Sequence, residues 1–218
     1  MVDYAIARTK MVDNQLRTND VTDHAIIDAL LEVPRELFVP EAQKPLAYID
    51  EDLPLGSGDR YLMKPHVFGK LMQAAEIKPT DRVLIVGAGT GYSAAVMSRF
   101  TTNVVALESD ATLAATARAL LANVAAANIA VETGSLLAGC PAKGPYDVIL
   151  VEGAIESIPP SLTAQLREGG RLIAIEGTGR AGRAMILNRV GADVSGRLAF
   201  NAAAKPLPGF AKPREFVF

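Results

Sequence analysis

The sequence predicts an α/β fold: a doubly wound, mostly parallel sheet, preceded by a helical appendage and closed by antiparallel strands. Three observations carry this. Between residues 81 and 176, apolar runs of strand length alternate with helix-compatible stretches, the pattern of βαβ units. The run Val83-Leu84-Ile85-Val86 has no polar alternation, as suits a strand covered on both faces. It leads directly into Gly87-Ala88-Gly89-Thr90-Gly91 and then into Ser93-Ala94-Ala95-Val96-Met97, so a buried strand opens through a glycine loop into a helix. In such sheets ligands bind outside the carboxyl ends of the strands.

Residues 1–80 read as mostly helical. Met11, Val12, Asn14 and Leu16 lead into a polar break, Arg17-Thr18-Asn19-Asp20. Thr22 or Asp23 caps a second helix with Ala25, Ile26, Ala29, Leu30 and Val33 on one face. Pro34 begins a turn whose Leu37, Phe38 and Val39 pin the segment to the main core. The stretch Tyr48 to Leu55 and the loop Gly56 to Pro65 have two glycines and a charged tip, which marks a lid or substrate loop. A helix from His66 to about Ile77 carries Val67, Leu71 and Ala74 on one side.

Past the glycine loop, Asn103 to Leu107 is a strand ending at Glu108, and Asp110 caps an alanine-rich helix to about Ala127. Strands follow at Ile129 to Thr133 and Tyr146 to Val151. A helix starts at Pro159-Pro160, runs through Leu166 and ends at Gly169-Gly170, before a fifth strand at Arg171 to Ile175. Ala184 to Val190 and Arg197 to Phe200 flank a glycine-containing turn and predict a hairpin, with Glu215 to Phe218 as a further edge strand. The expected division is residues 1–80 as helical appendage and substrate loop and 81–218 as ligand-binding core, joined in one structural unit.

The 218 residues suit one domain, half of them hydrophobic and about a fifth charged. A net charge of −2 with no long Lys/Arg cluster argues against a nucleic-acid partner. Cys140 is the single cysteine, so no intramolecular disulfide forms and a reducing compartment fits. With no leader pattern and no run of 18 apolar residues, a cytoplasmic protein without a membrane span is expected. His24 and His66 are the two histidines and neither stands at a metal-ligand spacing, so no metal site is expected.

The glycine spacing decides the kind of ligand. A dinucleotide site needs G-x-G-x-x-G, but the third position of that pattern is Tyr92, and no Gly-Lys-Ser/Thr of a phosphate loop follows. The glycines at 87, 89 and 91 form G-x-G-x-G. Glu108 lies 17 positions past Gly91, where nucleotide-binding βαβ units place a carboxylate on a ribose diol. Adenosine binding follows from the pair. The loop resembles motif I of the Rossmann-like, class I methyltransferases, which implies S-adenosylmethionine as cofactor.

Over nearly its whole length the chain resembles the protein-L-isoaspartate O-methyltransferases. The residues that carry this are N-Q-L-R-T-N-D-V-T-D at 14–23, V-P-R-E-L-F-V-P at 33–40 and A-Y-I-D-E-D-L-P-L-G-S-G at 47–58, together with the glycine loop and P-Y-D-V-I-L-V. The resemblance implies transfer of a methyl group from S-adenosylmethionine to the α-carboxyl of an L-isoaspartyl residue in a damaged protein. That chemistry joins an ionised nucleophile to a ready leaving group, so positioning and desolvation do most of the work. The implied cofactor residues are Gly87, Ala88, Gly89, Thr90, Gly91 and Tyr92, Glu108 with Ser109, Ser135 with Leu136, and Glu152. Ser135 stands where the family has an aspartate facing the adenine.

The substrate loop departs from the family, which has a serine within a Q-T-I-S-Q-P stretch. Here Asp59-Arg60-Tyr61-Leu62-Met63-Lys64 is one residue longer and has no hydroxyl of that kind. The expected substrate residues are Arg60, Tyr61, Leu62, Met63, Lys64 and His66, the last matching a Pro-His pair of some members. Three readings stand open. Arg60 or Lys64 holds the acceptor's anion in isoaspartyl proteins; or the apolar Tyr61, Leu62 and Met63 suit another, small acceptor; or the protein binds S-adenosylmethionine without transferring methyl. Amino-group methylation of nucleic acid would need an N/D-P-P-Y-like motif where the chain has Val151-Glu152-Gly153-Ala154.

Overall fold

The computed structural model describes residues 2–124, 128–177, 179 and 181–211. The chain opens with α1 (Tyr4–Met11), whose N-terminus is capped by Asp3, and continues through a wide turn, Val12–Leu16. Asp20 ends the polar break with φ 62°, a left-handed conformation that aspartate tolerates better than most residues. Asp23 then caps α2 (His24–Glu32) by accepting from the amides of Ala25 and Ile26 at 2.9 and 3.3 Å. The buried face of α2 is Ile26, Ile27, Ala29 and Leu30, with Val33 following; Ala25, expected on this face, is exposed.

Two short strands that periodicity did not reveal come next. β1 (Leu53–Pro54) and β2 (Tyr61–Leu62) pair antiparallel and make a hairpin of the expected loop. α3 (Pro65–Ala74) starts on a proline at its first position and stops before Glu76, which takes φ 48°. Its Val67 and Leu71 are buried. Helix α3 thus ends short of Ile77, because the turn at Glu76 exposes carbonyls that Arg171 takes up from Ala75 and Glu76.

β3 (Arg82–Val86), α4 (Tyr92–Met97), β4 (Asn103–Glu108), α5 (Ala111–Asn123) and β5 (Ile129–Thr133) follow the predicted alternation. The last three residues of the expected α5, 125–127, lie outside the described residues, as does the expected edge strand 215–218. β6 (Tyr146–Ile155) runs past Val151 to Ile155. α6 (Pro160–Thr163) is one turn long, not a helix through Leu166. The reason is visible in β7 (Leu166–Glu176). Leu166, fully buried, already pairs with Tyr146, and the chain bulges before Arg171 pairs with Val148. Gly169-Gly170 therefore serves a bulge rather than a helix end; a Cβ on Gly170 would stand 2.9 Å from the carbonyl oxygens of Arg167 and Tyr146. β8 (Arg183–Val190) and β9 (Asp193–Asn201) form the predicted hairpin.

The seven strands lie in the order β5-β4-β3-β6-β7-β8-β9, parallel through β7 and antiparallel after it. Chain direction along the sheet reverses between β3 and β6, so their carboxyl ends flank the crevice in which such folds bind ligands. Both faces are covered. Val83 and Ile85 face the cluster that holds α2 to α5, while Leu84 and Val86 face a second cluster with Leu162, Leu207 and Phe210. The appendage shares the first cluster, so no separate core divides residues 1–80 from the sheet.

Candidate active site

The site begins where β3 ends. The amides of Gly87 and Ala88 both donate to the Leu107 carbonyl, at 2.9 and 3.0 Å, which ties the loop to β4. Gly87, Gly89 and Gly91 take φ of 86°, 56° and 92°, where an L side chain costs about 1–2 kcal/mol. Thr90 donates its hydroxyl to the Phe38 carbonyl at 2.6 Å, so the loop also leans on the appendage. Tyr92 turns its ring into the core, between Phe38, Phe68 and the buried guanidinium of Arg35. Burial raises the Tyr92 phenol above its usual range and lowers Arg35 below its own.

Glu108 ends β4 against this loop with 0% exposure. Its Oε1 accepts from the amides of Ser109 and Asp110 at 2.8 and 3.0 Å; Oε2 accepts from the Gly89 amide at 2.7 Å and from Arg60 Nη2 at 2.6 Å. The same Arg60 nitrogen donates to the Gly87 carbonyl at 2.8 Å. Arg60, expected as a loop cation facing an acceptor, is thus turned inward and is only 5% exposed.

Glu152, at the carboxyl end of β6, accepts from the Ser93 hydroxyl at 2.9 Å. Burial pushes its carboxyl up to about 7, against the opposing pull of that hydrogen bond. Arg60, Glu152, Tyr61, Met63 and Lys205 surround a space of only about 10 Å³. Beside it, Tyr61, Lys205, Leu207 and Phe210 line an open cavity of about 440 Å³. Lys205 stands over the Tyr61 ring, 5.2 Å from its centroid, and has no carboxylate partner among the described residues.

The structure therefore gathers Gly87 to Gly91, Glu108, Ser109, Glu152, Arg60, Tyr61 and Met63 at the carboxyl ends of the strands. Ser135 and Leu136 follow the neighbouring β5, where the Gly134 amide donates to the Glu108 carbonyl at 3.1 Å. Leu62 is buried in the hairpin's core contact, and the Lys64 amide donates to Asp52 at 2.9 Å. His66 turns to Asp50, with Nδ1 2.5 Å from Oδ2, and does not line the space beside Glu152. Lys205 and Leu207 were missed by sequence reasoning, because they sit in an irregular segment with neither periodicity nor motif; Ser57 lies in the recognised 47–58 stretch but was given no role. No group of three or more potential metal ligands occurs among the described residues, and none of their helices is long and apolar enough to cross a membrane.

The donor set fits an adenosine ligand: bare glycine backbone on one side and a carboxylate at the strand end on the other. The space is filled by the chain itself. A Cβ built on Gly87 would stand 2.9 Å from Leu207 Cδ1 and 3.1 Å from Arg60 Nη2, and one on Gly89 would stand 2.7 Å from Leu55 Cδ1.

The sequence model of the family described as Protein-L-isoaspartate(D-aspartate) O-methyltransferase matches residues 7–197. The chain is similar to the protein-L-isoaspartate O-methyltransferase of Methylorubrum extorquens, 41% identical over 191 residues that cover 88% of this chain and 83% of the relative. It is similar also to that of Koribacter versatilis, 40% identical over 170 residues covering 78% and 76% of the two chains. A solved protein-L-isoaspartate O-methyltransferase superposes with a TM-score of 0.82 at 28% identity, over 93% of this chain and 66% of that one. A Plasmodium falciparum structure in complex with S-adenosyl-L-homocysteine shares the fold, with a TM-score of 0.78 at 19% identity over 92% and 97% of the two chains.

Proposed function

The chain belongs to the protein-L-isoaspartate O-methyltransferase family, and from that premise we propose how its own residues carry out S-adenosylmethionine-dependent methylation of isoaspartyl carboxyls. The observation that carries the reading is Glu108, set at the end of β4 against the left-handed glycine loop. Gly87, Gly89 and Gly91 would hold the cofactor's amino acid side and Glu108 its ribose diol, with Leu136 and Ser135 beside the adenine. When bound, S-adenosylmethionine supplies an electrophilic methyl group on a sulfonium sulfur.

The remaining work falls to placement of the acceptor. An isoaspartyl α-carboxylate is already ionised at neutral pH, so no general base is required of the chain. Lys205 and the Tyr61 ring face the open cavity, and there the ammonium offers the carboxylate a charge partner in place of the family's loop serine. Met63 and Leu207 add apolar surface that excludes water from the reacting groups. Glu152 borders the small space beside that cavity with a carboxyl poised near neutrality, so its proton can be held on the Ser93-bonded group while the acceptor's negative charge is near.

The test is methyl transfer from labelled S-adenosylmethionine to an isoaspartyl peptide, with its aspartyl twin as control. Base-labile label on the first alone is expected, and Lys205→Ala should raise the peptide KM about tenfold with little change in cofactor affinity. Equal labelling of both peptides, or none, would overturn the assignment of acceptor.

A further inference from the structure

The cofactor's place on Glu108 is taken by the chain itself. The tip of the β1–β2 hairpin is fastened to the end of β4 at two points: Ser57 donates its hydroxyl to Asp110, and Arg60 pairs with Glu108 at 2.6 Å. The Leu55 amide donates to the Arg60 carbonyl at 2.9 Å and closes the tip, which turns through Gly56 and Gly58 at φ 80° and 50°. Behind this fastening, Gly87 to Tyr92 are buried and Glu108 is inaccessible. Its carboxylate accepts from three amides fixed in the fold, from the Ser109 hydroxyl at 3.4 Å and from Arg60, which leaves no acceptor position open. Among the described residues, the space that Arg60 borders is about 10 Å³, room for one water at most, whereas a ligand of cofactor size occupies a cleft of roughly 300 Å³ or more.

We propose that Arg60 is an internal competitor for the cofactor: its guanidinium occupies the ribose position on Glu108, and S-adenosylmethionine binds only after Arg60 and the hairpin tip have left it. This rests on the reading of Glu108 as the ribose carboxylate. The exchange keeps the Oε2 acceptor satisfied, though it gives up an ion pair and the bond to the Gly87 carbonyl. A ribose hydroxyl donates to Oε2 as Arg60 does, while the three backbone amides stay where they are. Arg60 is the partner suited to leaving, because its buried Nε–H finds no acceptor and a buried donor without a partner costs about 1–3 kcal/mol. The fixed contacts lie elsewhere. The 205–207 segment is laced to β6 by Ala154 N to the Lys205 carbonyl and Leu207 N to the Ala154 carbonyl, at 2.9 and 2.8 Å. Among the described residues, the hairpin tip is held by its own closing bond, by Ser57 on Asp110 and by Arg60 on Glu108 and the Gly87 carbonyl. A closed form that excludes the ligand lowers apparent affinity by the fraction of molecules that are open.

Titration calorimetry with S-adenosylhomocysteine tests this, because that ligand carries no sulfonium and is not simply repelled by one more positive charge. Arg60→Ala should bind it about tenfold or more tightly than the unaltered protein, and Glu108→Gln more weakly. Equal or weaker binding by Arg60→Ala overturns the competitor while leaving the cofactor site in place. Unchanged affinity in Glu108→Gln removes Glu108 from the site and both readings with it. The unaltered protein gives a second readout, independent of how the variants fold. The Arg60 Nε–H resonance should exchange slowly with solvent in the free protein and rapidly at saturating S-adenosylhomocysteine. A signal that stays protected would sink the proposal.

Discussion

At the scale of single residues, the carboxyl end of the sheet holds two glutamates in different surroundings, Glu108 inaccessible and Glu152 partly covered. Glu108 accepts from three amides, a guanidinium and, at 3.4 Å, the Ser109 hydroxyl. Glu152 has one hydroxyl partner and a burial cost that lifts its carboxyl to about 7. A raised carboxyl holds its proton more tightly folded than unfolded. Between about 4.5, its ordinary value, and about 7, the folded state therefore binds more protons, and stability falls as pH rises through that window. Glu152's contribution is full below the window and gone above it, with a slope approaching 1.4 kcal/mol per pH unit at its steepest. Urea midpoints measured from pH 4.5 to 8 should show that decline, and Glu152→Gln should flatten it; a variant with the same slope as the parent would assign the titration to another group. The sequence placed Glu152 at a strand end and named it for the site, but its neutral poise depends on what covers it and no local pattern encodes that.

At the scale of elements, strand β3, its glycine loop and strand β4 were legible because their signals are local. Four apolar residues in a row, three glycines at alternate positions and an acid at the next strand's end lie within 26 residues, from Val83 to Glu108. Elements whose form depends on distant partners were not. Gly169-Gly170 looks like a helix end from its neighbours alone, yet Leu166 gains more by pairing with Tyr146 in the sheet. The β1–β2 hairpin has two-residue strands, too short for alternation to show. Glycine use in the loop is a further element-scale matter. At Gly91 a Cβ would be strained by φ 92° and would also press on Leu121 and Ala117 of α5, at 3.1 and 3.3 Å. At Gly58, φ is 50° and nothing lies within 4 Å. Gly58→Ala should cost about 1 kcal/mol by conformation alone, and Gly91→Ala about 2 kcal/mol or more. Equal losses in chemical denaturation would mean that α5 gives way freely and the loop is not wedged between sheet and helix.

At the scale of the whole molecule, the appendage and the sheet share one apolar cluster and are joined by buried polar staples. Arg35 is fully buried, donates to the carbonyls of Ala47 and Met63 at 2.8 and 2.7 Å, and stacks on Tyr92 at the mouth of α4. Arg35→Ala should lose about 3–5 kcal/mol, since it leaves two buried carbonyls unmet and a hole beside Tyr92. We expect unfolding of the variant to remain a single transition; two separated transitions would show that residues 1–80 and 81–218 are independent domains. A second staple reaches further along the chain. Arg171, in β7, bonds the carbonyls of Ala75 and Glu76 at the end of α3 and pairs with Asp81 at 2.7 Å. Contacts that span some 90 residues close late, when the entropy of a long loop has been met. On a ribosome adding roughly 5–20 residues per second, the end of α3 therefore waits on the order of 5–20 seconds for the strand that meets its carbonyls. During that interval Phe38 and Phe68 can already meet Tyr92, but the carbonyls that end α3 are met by water alone.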